Sequence, residues 1–521
     1  MIERIDLSLV YPENNLYLDY VAGVVSATLL FTHSPGQFAE ALAQRRTVDY
    51  PRATISHLLK EYNASIGASP ASLANIDSLK DRSTFCIIGG QQAGFLGGPV
   101  YTAYKIVTVI RLAALLEERL GVKVVPVFWL ADEDHDFTEI NHAYVAKDDG
   151  EVGKVSFDWE GRGRQIADLP IGDGVRTAYE SYLEALPASP YNAQIEEIFA
   201  PRPGEDYTTW HARLIAQIFS RWGLIIVTPT ILRVPGRAFL RTALKQSTAI
   251  STALEEAATT VSAAGYSPAL SPEQVGGLYT IADSGKRVRV IDSLAHLAAV
   301  EDQTERYSPD VALRPLFADA LLPVIASVLG PSEIAYHSML KPLYHLFSLP
   351  QPIAFPRESF TVITRAEADL IKRSKTSVSA ILAGKSPSTE AKHALVPSEL
   401  KKGFADARDA ITEDFAPLSS LVETLDPSLV SSWKGTRAAA LRALDRLEKR
   451  TLRANLAKHG LSLGALQRLR NSILPRGRLQ ERVFPLPHFI NRHGATFVER
   501  LVSLAELDNT HHRVVTWEDD D

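Results

Sequence analysis

A chain of 521 residues holds about three to four domains at roughly 150 residues each, which excludes one small isolated fold. Its 55 basic and 61 acidic residues leave a net charge of −6, without the basic excess of a protein living on nucleic acid or anionic lipid. Hydrophobic residues at 45% and charged residues at 22% describe a folded, soluble protein suited to small molecules. Cys86 is the one cysteine, so an internal disulfide and a cysteine-rich zinc module are excluded and the reducing cytoplasm is the expected location. Met1-Ile2-Glu3-Arg4-Ile5-Asp6 lacks the basic-then-apolar pattern of an export signal, and no apolar stretch reaches the ~20 residues of a membrane span.

Residues 1–80 read as a helical lead-in, with apolar residues at three- and four-residue spacing over 35–46 and 56–66. Thr84-Phe85-Cys86-Ile87-Ile88 is a β-prone apolar run that meets a loop at Gly89-Gly90. From Pro99 a helix is expected, with Val100, Ala103, Val107, Ile110 and Ala114 on one face and a stop at Gly121. Val124 to Leu130 is a second strand, which completes a βαβ unit whose ligand sites lie beyond the carboxyl ends of the strands. Leu224 to Thr228 adds a third strand, and Arg287 to Ile291 alternates as a strand does. The expected fold class is α/β, an open parallel sheet over residues 81–360 with insertions. Thr364-Arg365-Ala366-Glu367 has the form of a capping box and opens a helical region over 361–475.

Within that region Phe404, Ile411, Phe415, Leu418, Val422 and Leu425 step as a coiled-coil seam, with Arg408 at a core-type position and Pro417 as a point of kinking. Asp426-Pro427 ends this arm, and Leu441, Leu444, Leu447, Leu452 and Leu456 make a second, so a helical hairpin is expected. Three basic residues stand against six acids over 401–426, and eight against two over 434–458, which favours antiparallel pairing. Residues 476–521 are read as a segment returning to the core.

Five of the 30 glycines fall in Gly89-Gly90-Gln91-Gln92-Ala93-Gly94-Phe95-Leu96-Gly97-Gly98-Pro99, a density that permits close backbone approach to a ligand. The spacing fits neither GxGxxG nor a Walker ending, yet a helix starting near Pro99 offers its N-terminal end to a phosphate or carboxylate. Gly90, Gly94, Gly97 and Gly98 are therefore candidate binding positions. Gln91 and Gln92 donate and accept without charge, toward a hydroxylated or carboxylated substrate or within the loop. Tyr101 and Lys105 lie a turn apart on the next helix, where Lys105 meets either an anionic ligand or an acid.

After the second strand, Asp132-Glu133-Asp134-His135-Asp136 sets four acids and a histidine in five positions, followed by Asn141-His142. Such a cluster suits a substrate ammonium, orientation of His135 as a general base, or a metal, and repulsion among the acids should raise some of their pKa values. Asp132, Asp134 and Asp136 alternate like a calcium loop, but Phe137 stands where an EF-hand needs glycine, so no metal ligands are assigned. Cys86 sits in an apolar strand that would hide its thiol, which argues against catalysis.

Residues 90–99, Tyr101 with Tyr104-Lys105, and Pro126-Val127-Phe128-Trp129-Leu130-Ala131-Asp132-Glu133-Asp134-His135-Asp136 closely resemble the bacillithiol biosynthesis cysteine-adding enzyme family. Leu313-Arg314-Pro315-Leu316, Leu322-Pro323, Gly330-Pro331-Ser332-Glu333-Ile334-Ala335-Tyr336, Pro356-Arg357 and Gly477-Arg478-Leu479-Gln480-Glu481-Arg482 agree, so the resemblance spans most of the chain. It implies a Rossmann-like core resembling class I aminoacyl-tRNA synthetases, a coiled coil, and a ligase that adds cysteine to the amine of glucosaminyl malate. Under it, Asp132, Glu133 or Asp134 holds the cysteine ammonium and His135 helps remove a proton from the attacking amine, while the loop and its glutamines position the carboxyl or a nucleotide. Tyr101, Lys105, Asn141 and His142 belong to the same substrate or nucleotide site. Arg314 and Arg357 suit malate carboxylates or structural ion pairs, and Glu333 and Tyr336 either face a cleft or pack within a helix.

No HIGH motif is present, and Lys372-Arg373-Ser374-Lys375-Thr376-Ser377 matches KMSKS only loosely. ATP or another nucleotide, and magnesium, stay open as cofactors, since the sequence demands none. The expected partners are cysteine and glucosaminyl malate, with neither membrane nor nucleic acid, and a homodimer through the coiled coil. Two other readings remain: a nucleotide-dependent ligase or nucleotidyltransferase of class I synthetase type acting on another amino acid, and a nonenzymatic scaffold built on the hairpin.

Overall fold

The computed structural model describes residues 2–147, 149–494 and 496–517. Among them the strands are, in chain order, β1 (Ile2–Asp6), β2 (Phe85–Gln92), β3 (Val124–Ala131), β4 (His142–Ala146), β5 (Val152–Ser156), β6 (Ile225–Val227), β7 (Leu278–Ile281), β8 (Arg287–Arg289), β9 (Tyr307–Pro309), β10 (Val324–Leu329), β11 (Ile353–Pro356), β12 (Phe360–Thr364) and β13 (His511–Trp517). Five of these form one parallel sheet in the order β11-β10-β2-β3-β6, the α/β core that the βαβ pattern predicts. Every residue of β3 and of β10 is buried, which is why β3 reads as a continuous apolar run rather than as alternation.

The helix Tyr101–Leu120 connects β2 to β3, and Gly121 ends it in the left-handed region at φ 63°. A Cβ on Gly89 would lie 2.8 Å from Val109 Cγ2, so only glycine lets this helix settle onto β2. The strand does not stop at Gly89-Gly90 as its sequence suggests. Pairing with β3 carries it on to Gln92 opposite Ala131. From β2 the chain adds β3 and β6 on one side and then returns to place β10 and β11 on the other. Strand order therefore reverses between β2 and β10, the position at which an open parallel sheet forms a ligand crevice.

A second sheet, β1-β13-β12, joins the two ends of the described chain, with β1 antiparallel and β12 parallel to β13. The helical reading of residues 1–80 thus needs correction at its start. Ile5 is the one buried residue of β1, and no alternation announces the strand, which β13 recruits by tertiary pairing. Smaller sheets are formed by β4-β5 and β8-β7-β9.

Thr364 and Glu367 close a reciprocal cap on the helix Arg365–Ser374, as the capping-box pattern predicts. The helices Ser398–Leu425 and Val430–Lys458 form the hairpin, with Pro417 inside the first and the turn Pro427–Leu429 between them. Arg408 bonds Asp445 at 2.7 Å and Glu448 at 2.8 Å, and the Trp433 indole donates to Phe415 O at 2.9 Å, which sets the arms antiparallel. The cross-arm ion pairs thus join the one arginine of the acidic arm to the two acids of the basic arm. No helix among the described residues is long and apolar enough to cross a membrane.

Candidate active site

A cavity of about 680 Å³ opens at the carboxyl ends of β2, β3 and β10, in the crevice where strand order reverses. Gly90, Gln91, Gln92, Gly94, Gly98, Tyr101, Lys105, Asp134, His142, Arg314, Glu333, Tyr336 and Arg357 line it. Asp132, Glu133, His135, Asn141 and Gly97 stand off its walls.

Lys105 organises one wall. Its Nζ donates to Gly90 O at 2.6 Å, to Gln91 Oε1 at 3.2 Å and to Glu333 Oε2 at 2.7 Å. Of the two partners open to it, the acid is the one it holds. Burial pulls this ammonium below the ordinary lysine pKa, although Glu333 works against the shift. Gln91 Nε2 passes the chain on to the Tyr101 hydroxyl at 3.2 Å, and Glu333 Oε2 also accepts the Gly330 N–H at 2.6 Å, capping the helix Pro331–His337. A Cβ on Gly94 would meet Gly98 Cα at 2.7 Å, so the glycine loop packs tightly on itself.

The acid-histidine run does not converge on one point, because successive residues leaving a strand face opposite sides. Asp132 is buried against Thr230 with Oδ1 unpartnered, and burial raises its carboxyl to about 7. Glu133 is fully buried and accepts from Arg314 Nε at 2.7 Å. Asp134 accepts from Gln92 Nε2 at 3.1 Å and lies 3.6 Å from Arg314 Nη2. Burial would raise its pKa, but Arg314 and Arg287 outweigh it and hold the carboxyl at about 2. The upward shift in this run therefore falls on Asp132, with burial rather than repulsion as its main cause.

His135 turns away to Arg287, whose Nη1 lies 3.2 Å from its Nδ1. An arginine only donates, so Nδ1 accepts and the neutral ring carries its hydrogen on Nε2. Burial and the Arg287 charge keep His135 below the ordinary histidine pKa. Asn141 donates to Phe157 O at 3.1 Å and places its Oδ1 3.2 Å from His142 Nδ1, which orients His142 on the wall. Cys86 is buried in β2, and burial pushes its thiol pKa up.

Arg314 and Arg357, proposed for malate or for ion pairs, form the ion pairs. Arg314 holds Glu133, and Arg357 binds both oxygens of Glu481 at 2.5 and 3.1 Å, since a buried guanidinium requires a counter-charge. Two arginines outside the sequence-based site, Arg478 and Arg482, also line the cavity, and neither guanidinium has an ion-pair or hydrogen-bond partner among the described residues. Their sequence signal is the run Gly477-Arg478-Leu479-Gln480-Glu481-Arg482, which matches no standard catalytic motif. Thr102 and Trp129 are further wall residues outside the sequence-based site, although Trp129 lies within the run 126–136. The Thr102 hydroxyl and the Trp129 indole N–H are buried without partners among the described residues, which leaves two donors for a ligand. Among the described residues, no group of three or more His, Cys, Asp or Glu is placed to hold a metal ion.

Comparison with known proteins agrees with this architecture. The family model of the bacillithiol biosynthesis BshC N-terminal Rossmann-like domain matches residues 2–358, and that of the BshC C-terminal coiled-coil domain matches residues 360–517. A protein of Geobacillus thermodenitrificans is 30% identical over 532 residues, covering 96% of this chain and 97% of its own. One from Geobacillus kaustophilus is 30% identical over 534 residues with the same coverage, and one from Anoxybacillus flavithermus is 29% identical over 540 residues, covering 99% of this chain and all of its own. Each bears the name "Putative cysteine ligase BshC". With the two family models together matching residues 2–358 and 360–517, and the parallel sheet and helical hairpin in place, the chain belongs to the bacillithiol biosynthesis BshC family.

Proposed function

We propose that this protein is a cysteine ligase of bacillithiol biosynthesis that joins the carboxyl of cysteine to the amine of glucosaminyl malate in the cytoplasm. The observation that supports this most is the position of the cavity, which lies where strand order reverses and draws its wall from both matched domains. In the reaction a C–N bond forms between the cysteine carboxyl carbon and the sugar amine, the amine gives up a proton, and the activated carboxyl loses its leaving group. Asp134, kept ionised by its arginines, takes the cysteine ammonium. Thr102 and Trp129 donate to the carboxyl oxygen on which negative charge develops. His135 stands off the cavity wall, so Glu139 on the wall, rather than the histidine expected from sequence, takes the amine proton. The same reading includes a homodimer through the hairpin, where Leu418, Leu421, Leu425, Leu429 and Leu447 are exposed.

The test is to incubate purified protein with cysteine and glucosaminyl malate, with and without ATP and magnesium, and to follow the thiol product by mass spectrometry. Product that depends on both substrates supports the ligase, and its dependence on ATP identifies how the carboxyl is activated. A cell-extract supplement reveals a separate activated donor. Folded protein that gives no product under any of these conditions overturns the reading.

A further inference from the structure

Five lysine and arginine side chains line the cavity, and three are neutralised by neighbours. Lys105 pairs with Glu333 at 2.7 Å, Arg314 with Glu133 at 2.7 Å and Arg357 with Glu481 at 2.5 Å. Arg478 and Arg482 are the two whose guanidinium makes no ion pair or hydrogen bond among the described residues, although the Arg482 charge helps hold the neighbouring Glu481 ionised. A guanidinium left in this condition beside a cavity is a ready site for a carboxylate.

The turn that bears Arg482 is held firmly. Gln480 is buried, accepts from the Val362 N–H at 2.9 Å and donates to Val362 O at 2.9 Å. Glu481 is buried beside it and bonds Arg357, the Ser359 hydroxyl at 2.9 Å and the Tyr11 hydroxyl at 3.1 Å. Arg482 is itself half-buried on the short turn Gln480–Arg482, so little freedom is left to lose when a ligand binds. Its charge acts on Tyr101 and Lys105, whereas that of exposed Arg478 acts on His142. Both arginines line the one cavity from positions four residues apart on the same segment.

We propose that Arg482 and Arg478 clamp the two carboxylates of a dicarboxylate, the malate part of the acceptor, so that the C-terminal domain sets acceptor specificity. The name of the dicarboxylate rests on the ligase reading; the clamp itself rests on two cavity arginines without an ion-pair partner among the described residues. Glu481 is a positioning residue here, acting through the turn it anchors.

The experiment titrates the full-length protein calorimetrically with glucosaminyl malate and with its malate dimethyl ester. Wild type is expected to bind the diacid at least about tenfold more tightly than the diester, and Arg482→Gln and Arg478→Gln each to weaken the diacid roughly 10- to 100-fold while leaving the diester unchanged. Arg482→Lys should recover part of the loss. In turnover, KM for glucosaminyl malate should rise with KM for cysteine unchanged. Equal binding of diacid and diester by wild type, or Gln variants that bind the diacid as wild type does, overturns the clamp. If Arg482→Gln fails to fold, Arg478→Gln on its exposed turn decides the matter alone. Diacid binding through the arginines without product from cysteine would leave the clamp and overturn the ligase reading, and product with undiminished variant affinity would do the reverse.

Discussion

Burial and pairing set the ionisation of the site's residues, and each case has a testable sign. Burial raises Glu139 above the ordinary glutamate value, so a rate that needs its carboxylate should climb with pH through that raised pKa. Glu139→Gln should remove this limb and lower kcat about 100-fold or more, as measured by kcat against pH. Asp132, at about 7, keeps its proton in the fold where the unfolded chain, near 3.8, has lost it. Its stabilisation is therefore full below about pH 4 and lost as pH rises through 7. Asp132→Asn should gain in thermal midpoint relative to wild type between pH 4 and pH 8. Asp134 and Glu481, held at about 2, act in the opposite sense, contributing above ordinary carboxylate values and losing that contribution as pH falls toward 2. Glu481→Gln strands the buried Arg357 charge and should cost about 3–5 kcal/mol in urea denaturation. None of these pairings is visible in sequence, because the partners lie far apart along the chain, 98 residues for Asp132 and Thr230 and 124 for Arg357 and Glu481.

At the scale of elements, strand, glycine loop and helix were readable because each has a local cause: an apolar β-prone run, a cluster of small residues, and a 3.6-residue period ended by Gly121. The continuation of β2 through Gly89-Gly90 was not, since glycine disfavours strands and only the flanking β3 and β10 supply the missing bonds. Gly89→Ala tests this packing. The added methyl meets Val109, and we expect a loss of about 1–3 kcal/mol by chemical denaturation, with turnover falling as β2 moves away from the cavity. The hairpin shows the same division. Its seam and its break at Asp426-Pro427 follow from periodicity, but the use of Arg408 as the link to Asp445 and Glu448 follows from which turns of the two helices meet.

For the whole molecule, every wall residue of the cavity lies outside residues 398–458, although wall residues come from both sides of that insertion. Replacing residues 404–452 by a short loop leaves the contacts among Ala391, Leu456, Leu461 and Leu466 in place. The shortened protein should melt cooperatively, run as a monomer in light scattering and still form product. Loss of product with the fold intact would give the hairpin a direct part in catalysis.

The sequence by itself determined the class of fold, the βαβ unit, the hairpin and the family, because periodicity, glycine placement and motif identity are local properties. Thirteen of the eighteen site residues it marked line the cavity, since those residues lie at or follow strand ends, where parallel sheets place their ligands. Only the tertiary structure decided that β10 sits beside β2, that Asp132, Glu133 and His135 turn off the wall, and that Arg314 and Arg357 are neutralised while Arg478 and Arg482 make no ion pair among the described residues. Strand neighbours and charge partners are chosen by burial across hundreds of residues, and a cation becomes available to a ligand only when the fold has given its neighbours to each other.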